Sequence, residues 1–413
     1  MIKQIINKIF PFKSYDIRSC CFPLLILVYV IGFIGVYLIY MLDINEKQLI
    51  KQVLYQKQII AFGLGLGIIL VVSLIDYHFI AKISPVLYFI GLGLLLICKF
   101  IDSPPIYGWS HYEARRWIKI GGDPALKENN PGFEFQPSEI VKVALVICLA
   151  YFFYRLHKHI KKLWVIILAI IIIAIPTAFI FDQPDLSTTI LIVAVFSIMV
   201  FISGASYKYI FGFLLIFVPA TIFLFWYVQQ DFQVLLTDWQ RNRVMAMLHP
   251  EEYPDLTYQQ QNAEVAIKAG GLAGKFTSGI EASRISRTVP VRESDFIFSA
   301  AAEEFGFIGS AAILILYVFL ILFIIRIARK AGDYLGRMIA TGFASMLLIQ
   351  IFINIGVVTS LLPNTGIALP FLSSGLSSLL VNLLMIGILL NISMQPKKEK
   401  AETEDTELGF IDV

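Results

Sequence analysis

Residues 163–203 read LWVIILAIIIIAIPTAFIFDQPDLSTTILIVAVFSIMVFIS, and this stretch decides the fold. Two apolar runs, 163–181 and 187–203, are separated by a few polar residues around Pro184. A helix rises about 1.5 Å per residue, so roughly 20 apolar residues cross ~30 Å of hydrocarbon. Within lipid the backbone must satisfy its own polar groups, which a helix does. The two runs therefore read as spanning helices folded back at a proline turn. Working outward, similar runs recur at 23–42, 58–75, 79–99, 138–155, 207–228, 304–325, 337–360 and 373–394. The expected fold is all-α, a polytopic membrane protein of about ten spans. Composition agrees: of 413 residues, 58% are hydrophobic and 15% charged. With a mean hydropathy of +0.77, the chain lies far from the balance of a water-soluble domain.

The net charge of +3 says less than where the charges fall. Lys and Arg collect in cytoplasmic loops. With Lys3, Lys8, Lys13 and Arg18 inside, ten spans put three more basic clusters on the same side: Arg155, Lys158, Lys161 and Lys162; Arg326, Arg329, Lys330 and Arg337; Lys397, Lys398 and Lys400. Both termini are expected in the cytoplasm. The clusters read as topological signals rather than as sites for nucleic acid or a specific lipid. Residues 23–42 are long for a cleavable signal and no small-x-small site follows, so they read as a retained first span. Cys20, Cys21, Cys98 and Cys148 show neither metal-ligand spacing nor a disulfide framework and read as packing residues.

The chain reads as one membrane domain, 1–413, with two long polar segments, 100–137 and 229–297, both outside by the count of spans, and a polar tail at 396–413 on the cytoplasmic side. Long ordered loops carry function more often than not. The second contains Arg241 and Arg243, a Pro250 to Pro254 turn, a glycine cluster and Asp295 at the entry to the eighth span.

Several constellations could carry chemistry. Gly270-Gly271-Leu272-Ala273-Gly274-Lys275-Phe276 fails the phosphate-loop pattern at Ala269 and at Phe276. It still offers backbone amides and one cation to a diphosphate, or is simply a flexible turn. Glu139 and Lys142, three apart, share a helix face near the outer end of the fourth span. They form a structural ion pair or line a substrate path. Asp182 and Asp185 flank the Pro184 turn, with Asp182 read as a helix cap. Arg115, Arg116 and Trp117 either bind an anionic headgroup or anchor the interface. Arg241 and Arg243 run against the usual charge bias of an outer loop, and a planar guanidinium suits a pair of diphosphate oxygens. Asp295 stands where a polar loop enters an apolar helix. Partial burial there raises a carboxyl pKa, and Glu293 adds like-charge repulsion; that is how a general base is tuned, although a capping Asp is the alternative.

Taken together these segments resemble the SEDS family (shape, elongation, division and sporulation), with its RodA and FtsW branches. The carriers are Arg116-Trp117-Ile118 with Phe135-Gln136-Pro137-Ser138-Glu139 and Lys142; Gln183-Pro184-Asp185-Leu186; Gln240-Arg241-Asn242-Arg243-Val244; Ser294-Asp295-Phe296-Ile297-Phe298 with Glu303-Glu304-Phe305-Gly306; and Pro363-Asn364-Thr365-Gly366 with Leu369-Pro370-Phe371. The likeness covers nearly the whole chain. It implies a ten-span fold in the bacterial plasma membrane and peptidoglycan glycosyltransferase activity on lipid II, usually beside a class B penicillin-binding transpeptidase. The family's essential carboxylate falls on Asp295. The sequence departs from the family pattern at Ser187 (usually Gly), Phe276 (Gly), Glu293 (His) and in Ser373-Ser374-Gly375-Leu376 (Ser-Tyr-Gly-Gly), while Asp295 and the arginines are intact. The Pro250-Glu251-Glu252-Tyr253-Pro254 stretch looks more like the RodA branch.

The resemblance implies inverting transfer, from an α-linked diphosphate to a β-linked polymer. Asp295 is then the base on the acceptor hydroxyl. Arg241 and Arg243, with Lys275, neutralise the departing undecaprenyl diphosphate, and a divalent cation (Mg or Mn) on Asp295 and Glu293 could share that task. Arg116, Trp117, Glu139, Lys142 and Asp185 complete the expected substrate contacts. The competing readings are a lipid II flippase, for which Glu139 and Lys142 suit a translocation path, and a non-catalytic scaffold. Neither needs a base at the outer surface.

Overall fold

The computed structural model describes residues 10, 15–43, 54–111, 114–123, 132–183, 185–230, 232–234, 238–276 and 284–395. Lys3, Lys8, Lys13, Pro184, Lys397, Lys398, Lys400 and the tail 396–413 lie outside the described residues.

Each expected span is a helix. In chain order these are α1 (Phe22–Asp43), α2 (Leu54–Ser73), α3 (Tyr77–Phe100), α4 (Pro137–Arg155), α5 (Leu163–Asp182), α6 (Leu186–Ile202) and α7 (Tyr207–Val228). Two shorter helices follow, α8 (Asp238–Leu248) and α9 (Pro254–Gly270), then α10 (Ile297–Lys330), α11 (Tyr334–Val358) and α12 (Leu376–Ser393). Among the described residues, eight of these helices are both long and apolar enough to cross a membrane, and α6 is a shorter apolar helix. α6 still reaches about 25 Å at 1.5 Å per residue.

Burial sorts the helices into inner and outer ones. The apolar stretches of α4, α11 and α12 are 78%, 72% and 61% buried, against 28% for both α2 and α3. α4 is therefore a central post, packed on α3 and α11, while α12 lies along α2 and α10 along α11. Outer side chains such as Phe33, Phe89, Phe211 and Phe352 stand exposed, as lipid-facing side chains must, since lipid tails compete equally well for apolar contact. Close approach replaces that missing driving force: a Cβ on Gly342 would collide with Val146, and one on Gly35 with the backbone of Leu372.

The loops hold more structure than expected. Segment 100–137 carries a three-stranded antiparallel sheet, β1 (Ile106–His111), β2 (Ala114–Ile120) and β3 (Phe133–Phe135), in that order. Trp109 faces Trp117, and Ile118 faces Phe135. The eighth span starts earlier than its apolar run, at Ile297, because Ile297 to Gly306 form a separate piece: Gly306 has φ 65° and breaks the ladder. The glycine cluster mends that break. Phe307 N donates to Gly271 O (2.8 Å) and Ile308 N to Leu272 O (3.2 Å). The two backbones touch so closely that a Cβ on either Gly274 or Gly306 would overlap the other's amide nitrogen.

Candidate active site

The loops α3–α4, α5–α6, α7–α10 and α11–α12 alternate with the others in chain order, so they all emerge on one side of the bundle. They converge on Asp295.

Asp295 occupies the turn before α10 and is partly buried. Its Oδ1 accepts from Ser294 Oγ (2.9 Å). On the other side its Oδ2 faces Gly366, where a Cβ would sit 3.1 Å away, and Gly366 has φ +72°. Burial pushes the Asp295 carboxyl above its ordinary pKa; the Ser294 hydrogen bond and the charges of Arg243 and Arg116 oppose this, and Glu293 adds to it. The sign matches what the sequence suggested, and burial outweighs the two cations.

The cations arrive from separate elements. Arg243, on α8, donates from Nη1 to Asn364 O (2.8 Å), which ties the short helix to the α11–α12 loop. Burial and the neighbouring Arg116 push its pKa down to about 10, against the pull of Asp295 and Asp185. It remains a cation at neutral pH. Arg116, on β2, donates from Nε to Gln183 O (3.1 Å), so the first loop is fastened over the α5–α6 turn. Asp185 caps α6, accepting from Thr188 N (3.1 Å) and Thr188 Oγ1 (2.9 Å). Gln136 Nε2 approaches it at 3.5 Å. Ser187, one of the departures from the family pattern, donates to Thr365 O and joins the same loop.

Other expected residues sit elsewhere. Arg241 turns back to the end of α7, donating to Val228 O (3.2 Å) and Gln230 O (3.3 Å). Lys275 meets Glu303 at 2.6 Å, and Glu303 is fully buried. The amides of Gly271, Gly274 and Lys275 donate to Lys268 O, Gly270 O and Glu303 O. These donors are therefore engaged within the fold rather than turned to a ligand. Glu139 and Lys142 form a buried pair at 2.8 Å. Glu139 Oε2 has no hydrogen-bond partner, and Lys142 borders a small apolar gap of about 10 Å³ lined with Leu145, Leu149, Leu191, Val195 and Met346. Of the two sequence readings of that pair, the ion pair is the one seen. Trp117 pairs across the sheet with Trp109, and its carbonyl accepts from Cys98 Sγ (3.4 Å). Asp182 is not a cap; it closes the C-terminal end of α5, where a carboxylate is disfavoured by the helix dipole, and it pairs with Lys99 at 2.8 Å.

A metal finds little support in the donor set. No group of three His, Cys, Asp or Glu able to hold an ion occurs among the described residues. Glu293 and Asp295 lie together, but Arg243 and Arg116 already put two cations beside Asp295. These two carboxylates do not form a metal centre by themselves.

The sequence reading missed the groups that hold the Asp295 turn. Three consecutive carbonyls are held from α11 and the segment following it: Glu293 O by Ser374 N (2.8 Å), Ser294 O by Ser373 Oγ (2.5 Å) and Asp295 O by Asn354 Nδ2 (2.8 Å). An Asn inside an apolar span was the available signal, because buried polar groups in membranes are costly unless bonded.

Comparison with known proteins points the same way. The family profile described as "Cell cycle protein", covering FtsW, RodA and SpoVE, matches residues 18–398. A probable peptidoglycan glycosyltransferase FtsW of Geobacter metallireducens is 34% identical over 342 residues, 81% of this chain and 83% of that protein. The peptidoglycan glycosyltransferase MrdB of Escherichia coli K12 is 33% identical over 345 residues, covering 83% and 86%. A solved structure described as the structural coordination of polymerization and crosslinking by a peptidoglycan synthase complex contains a chain 27% identical, covering 92% of this chain and 98% of that one, with a TM-score of 0.71. The rod shape determining protein RodA of Thermus thermophilus, 23% identical with a TM-score of 0.63, shares the fold.

Proposed function

The chain belongs to the SEDS family of FtsW, RodA and SpoVE proteins, and from that premise we infer that it is a peptidoglycan glycosyltransferase of a bacterial membrane, with Asp295 as the base of the transfer. The observation carrying the second part is geometric: the Asp295 carboxylate rests against Gly366 in the same α11–α12 loop that Arg243 grips at Asn364 O, and Arg243 and Arg116 both act on its charge. The substrate is lipid II. The acceptor sugar hydroxyl attacks the anomeric carbon of the donor as the bond from that carbon to the diphosphate oxygen breaks. The hydroxyl proton passes to the Asp295 carboxylate, and the electron pair leaves with undecaprenyl diphosphate. A positioned base of this kind contributes typically about 10²- to 10⁴-fold. Arg243 and Arg116 stand where charge develops on the leaving group, in a partly desolvated site where such cations count for more than in water.

Asp185 and Ser187 act as supports in this reading, fixing the α5–α6 turn beneath Arg116. Lys275 and Arg241 serve the fold of the loop rather than the diphosphate. The lipid tail of the substrate enters between helices from the bilayer, and the buried Glu139–Lys142 pair is a structural ion pair on α4. Both long loops are extracellular, both termini are cytoplasmic, and the 396–413 tail is on the inner side. The chain works beside a class B penicillin-binding transpeptidase, in keeping with the synthase complex to which its fold is similar.

The test is purified protein with lipid II. Glycan strands that vanish in Asp295→Asn support the enzyme. Movement of lipid II across a bilayer without sugar joining supports the flippase reading instead.

A further inference from the structure

We propose that Asn354 and Ser373 are positioning residues for the transfer: they fix the backbone of the Glu293–Asp295 turn, and through it the direction of the Asp295 carboxylate. This rests on the reading of Asp295 as the base. Asn354 lies on α11 and is 1% exposed. One hydrogen of its amide goes to Asp295 O (2.8 Å) and the other to Ile367 O (2.7 Å). Because both neighbours are carbonyls, only the nitrogen can face them, so the amide orientation is fixed by chemistry. Ile367 follows Gly366, the residue against which the carboxylate Oδ2 rests. A single carboxamide thus ties together the two backbone segments on either side of the carboxylate. Its Oδ1 has no partner, and an unsatisfied buried acceptor costs about 1–3 kcal/mol. An apolar residue would avoid that cost, so the donor side of the group must compensate.

Ser373 works the same turn from the opposite flank. Its hydroxyl donates to Ser294 O and accepts from Leu369 N (2.8 Å). The next amide, Ser374 N, donates to Glu293 O (2.8 Å). None of these bonds supports a helix. The donors from Asn354, Ser373 and Ser374 all end on the turn that carries the carboxylate.

Asn354→Leu removes both bonds at similar volume, and Asn382→Leu is its control. Asn382 is 1% exposed on α12, and neither of its amide atoms has a hydrogen-bond partner. Polymerisation of lipid II is measured for each variant, with melting in detergent alongside. Misplacement of a reacting group by about 1 Å costs on the order of 10²-fold. Asn354→Leu is expected to lower kcat about 10- to 100-fold with KM nearly unchanged, Ser373→Ala to lower it less, and Asn382→Leu to keep the wild-type rate. Added to Asp295→Asn, Asn354→Leu should lower the residual rate no further, because a residue acting through another has nothing left to act on. The same fold-loss in both backgrounds, or a wild-type kcat in folded Asn354→Leu, overturns the proposal. If Asn354→Leu does not fold, Ser373→Ala is carried through the same cycle: a loss confined to the Asp295 background supports the proposal, and an equal loss in both backgrounds overturns it. Failure of the base assignment looks different: Asp295→Asn would then polymerise at the wild-type rate whatever Asn354 does.

Discussion

Replacing Gly366 by alanine imposes two separate costs, and a second glycine isolates one of them. The first is conformational: at φ +72° an L-residue carries a penalty of roughly 1–2 kcal/mol, seen as lost stability. The second is steric. The new Cβ would lie 3.1 Å from Asp295 Oδ2, so the carboxylate must retreat by a few tenths of an ångström. If a 1 Å error in a reacting group costs on the order of 10²-fold, a third of that distance costs about 3- to 10-fold. Gly204 has φ +81° and nothing within 4 Å of its would-be Cβ, so Gly204→Ala carries the conformational cost alone. Both variants should melt lower by similar amounts. Only Gly366→Ala should polymerise lipid II more slowly, with kcat falling and KM holding. Equal rates in the two variants would refute the contact between Gly366 and the carboxylate as a feature of the working site.

Asp295→Asn should lose about 10²- to 10⁴-fold in rate yet melt at or above the wild-type temperature at neutral pH. The reason is the sign of the linkage: burial raises the folded-state pKa of this carboxyl, so the wild type loses stability as pH rises from the ordinary carboxylate pKa through the raised one. For the same reason the acid limb of the wild-type rate profile should lie above the ordinary carboxylate range; an acid limb at or below it would contradict a desolvated base. Lys275→Ala leaves the fully buried Glu303 carboxylate without its cation, which costs on the order of 3 kcal/mol; a raised KM for lipid II at unchanged melting temperature would instead return Lys275 to the diphosphate. Arg243→Lys keeps the charge but not the planar fork, so it should slow polymerisation less than Arg243→Ala, and wild-type rates in the Ala variant would remove Arg243 from the site. For topology, Gln260 is buried by its bonds to Val357 O and Leu362 O, so the exposed neighbour Gln261 is the better probe. In a background lacking native cysteines, Gln261→Cys should react with an impermeant thiol reagent from outside and Lys158→Cys should not; the opposite labelling would invert the sidedness.

The spans were legible because apolar length is a one-dimensional signal, and each expected run coincides with a helix. The small sheet was not. ARRWIKI at 114–120 alternates weakly, and its pairing with Ile106–His111 is a non-local fact that periodicity does not encode. Arg116, Arg243, Asp185 and Asp295 were legible as residues, but only the fold shows how their three loops meet the α11–α12 loop at Asn364 and Gly366. Lys275 shows the reverse limit. A cation in a glycine-rich loop is compatible with phosphate in sequence, and nothing in the residue order announces that Glu303, 28 residues on, meets it at 2.6 Å. The glycines themselves answer to the break at Gly306, a close backbone contact invisible until both segments are placed.

The hold on the Asp295 turn also has a consequence for biosynthesis. Asn354, Ser373 and Ser374 all follow Asp295 in the chain, by up to 79 residues. At translation speeds of about 5–20 residues per second, the carboxylate waits roughly 4–16 s before its last partner is made. During that interval Asp295, Arg116 and Arg243 already stand at the membrane, beside whatever lipid-linked sugar is present, but the turn has no anchor. A nascent chain thus carries the carboxylate on an unanchored turn, and reaches its full rate of sugar joining only after Asn354, Ser373 and Ser374 have been made and have closed on that turn.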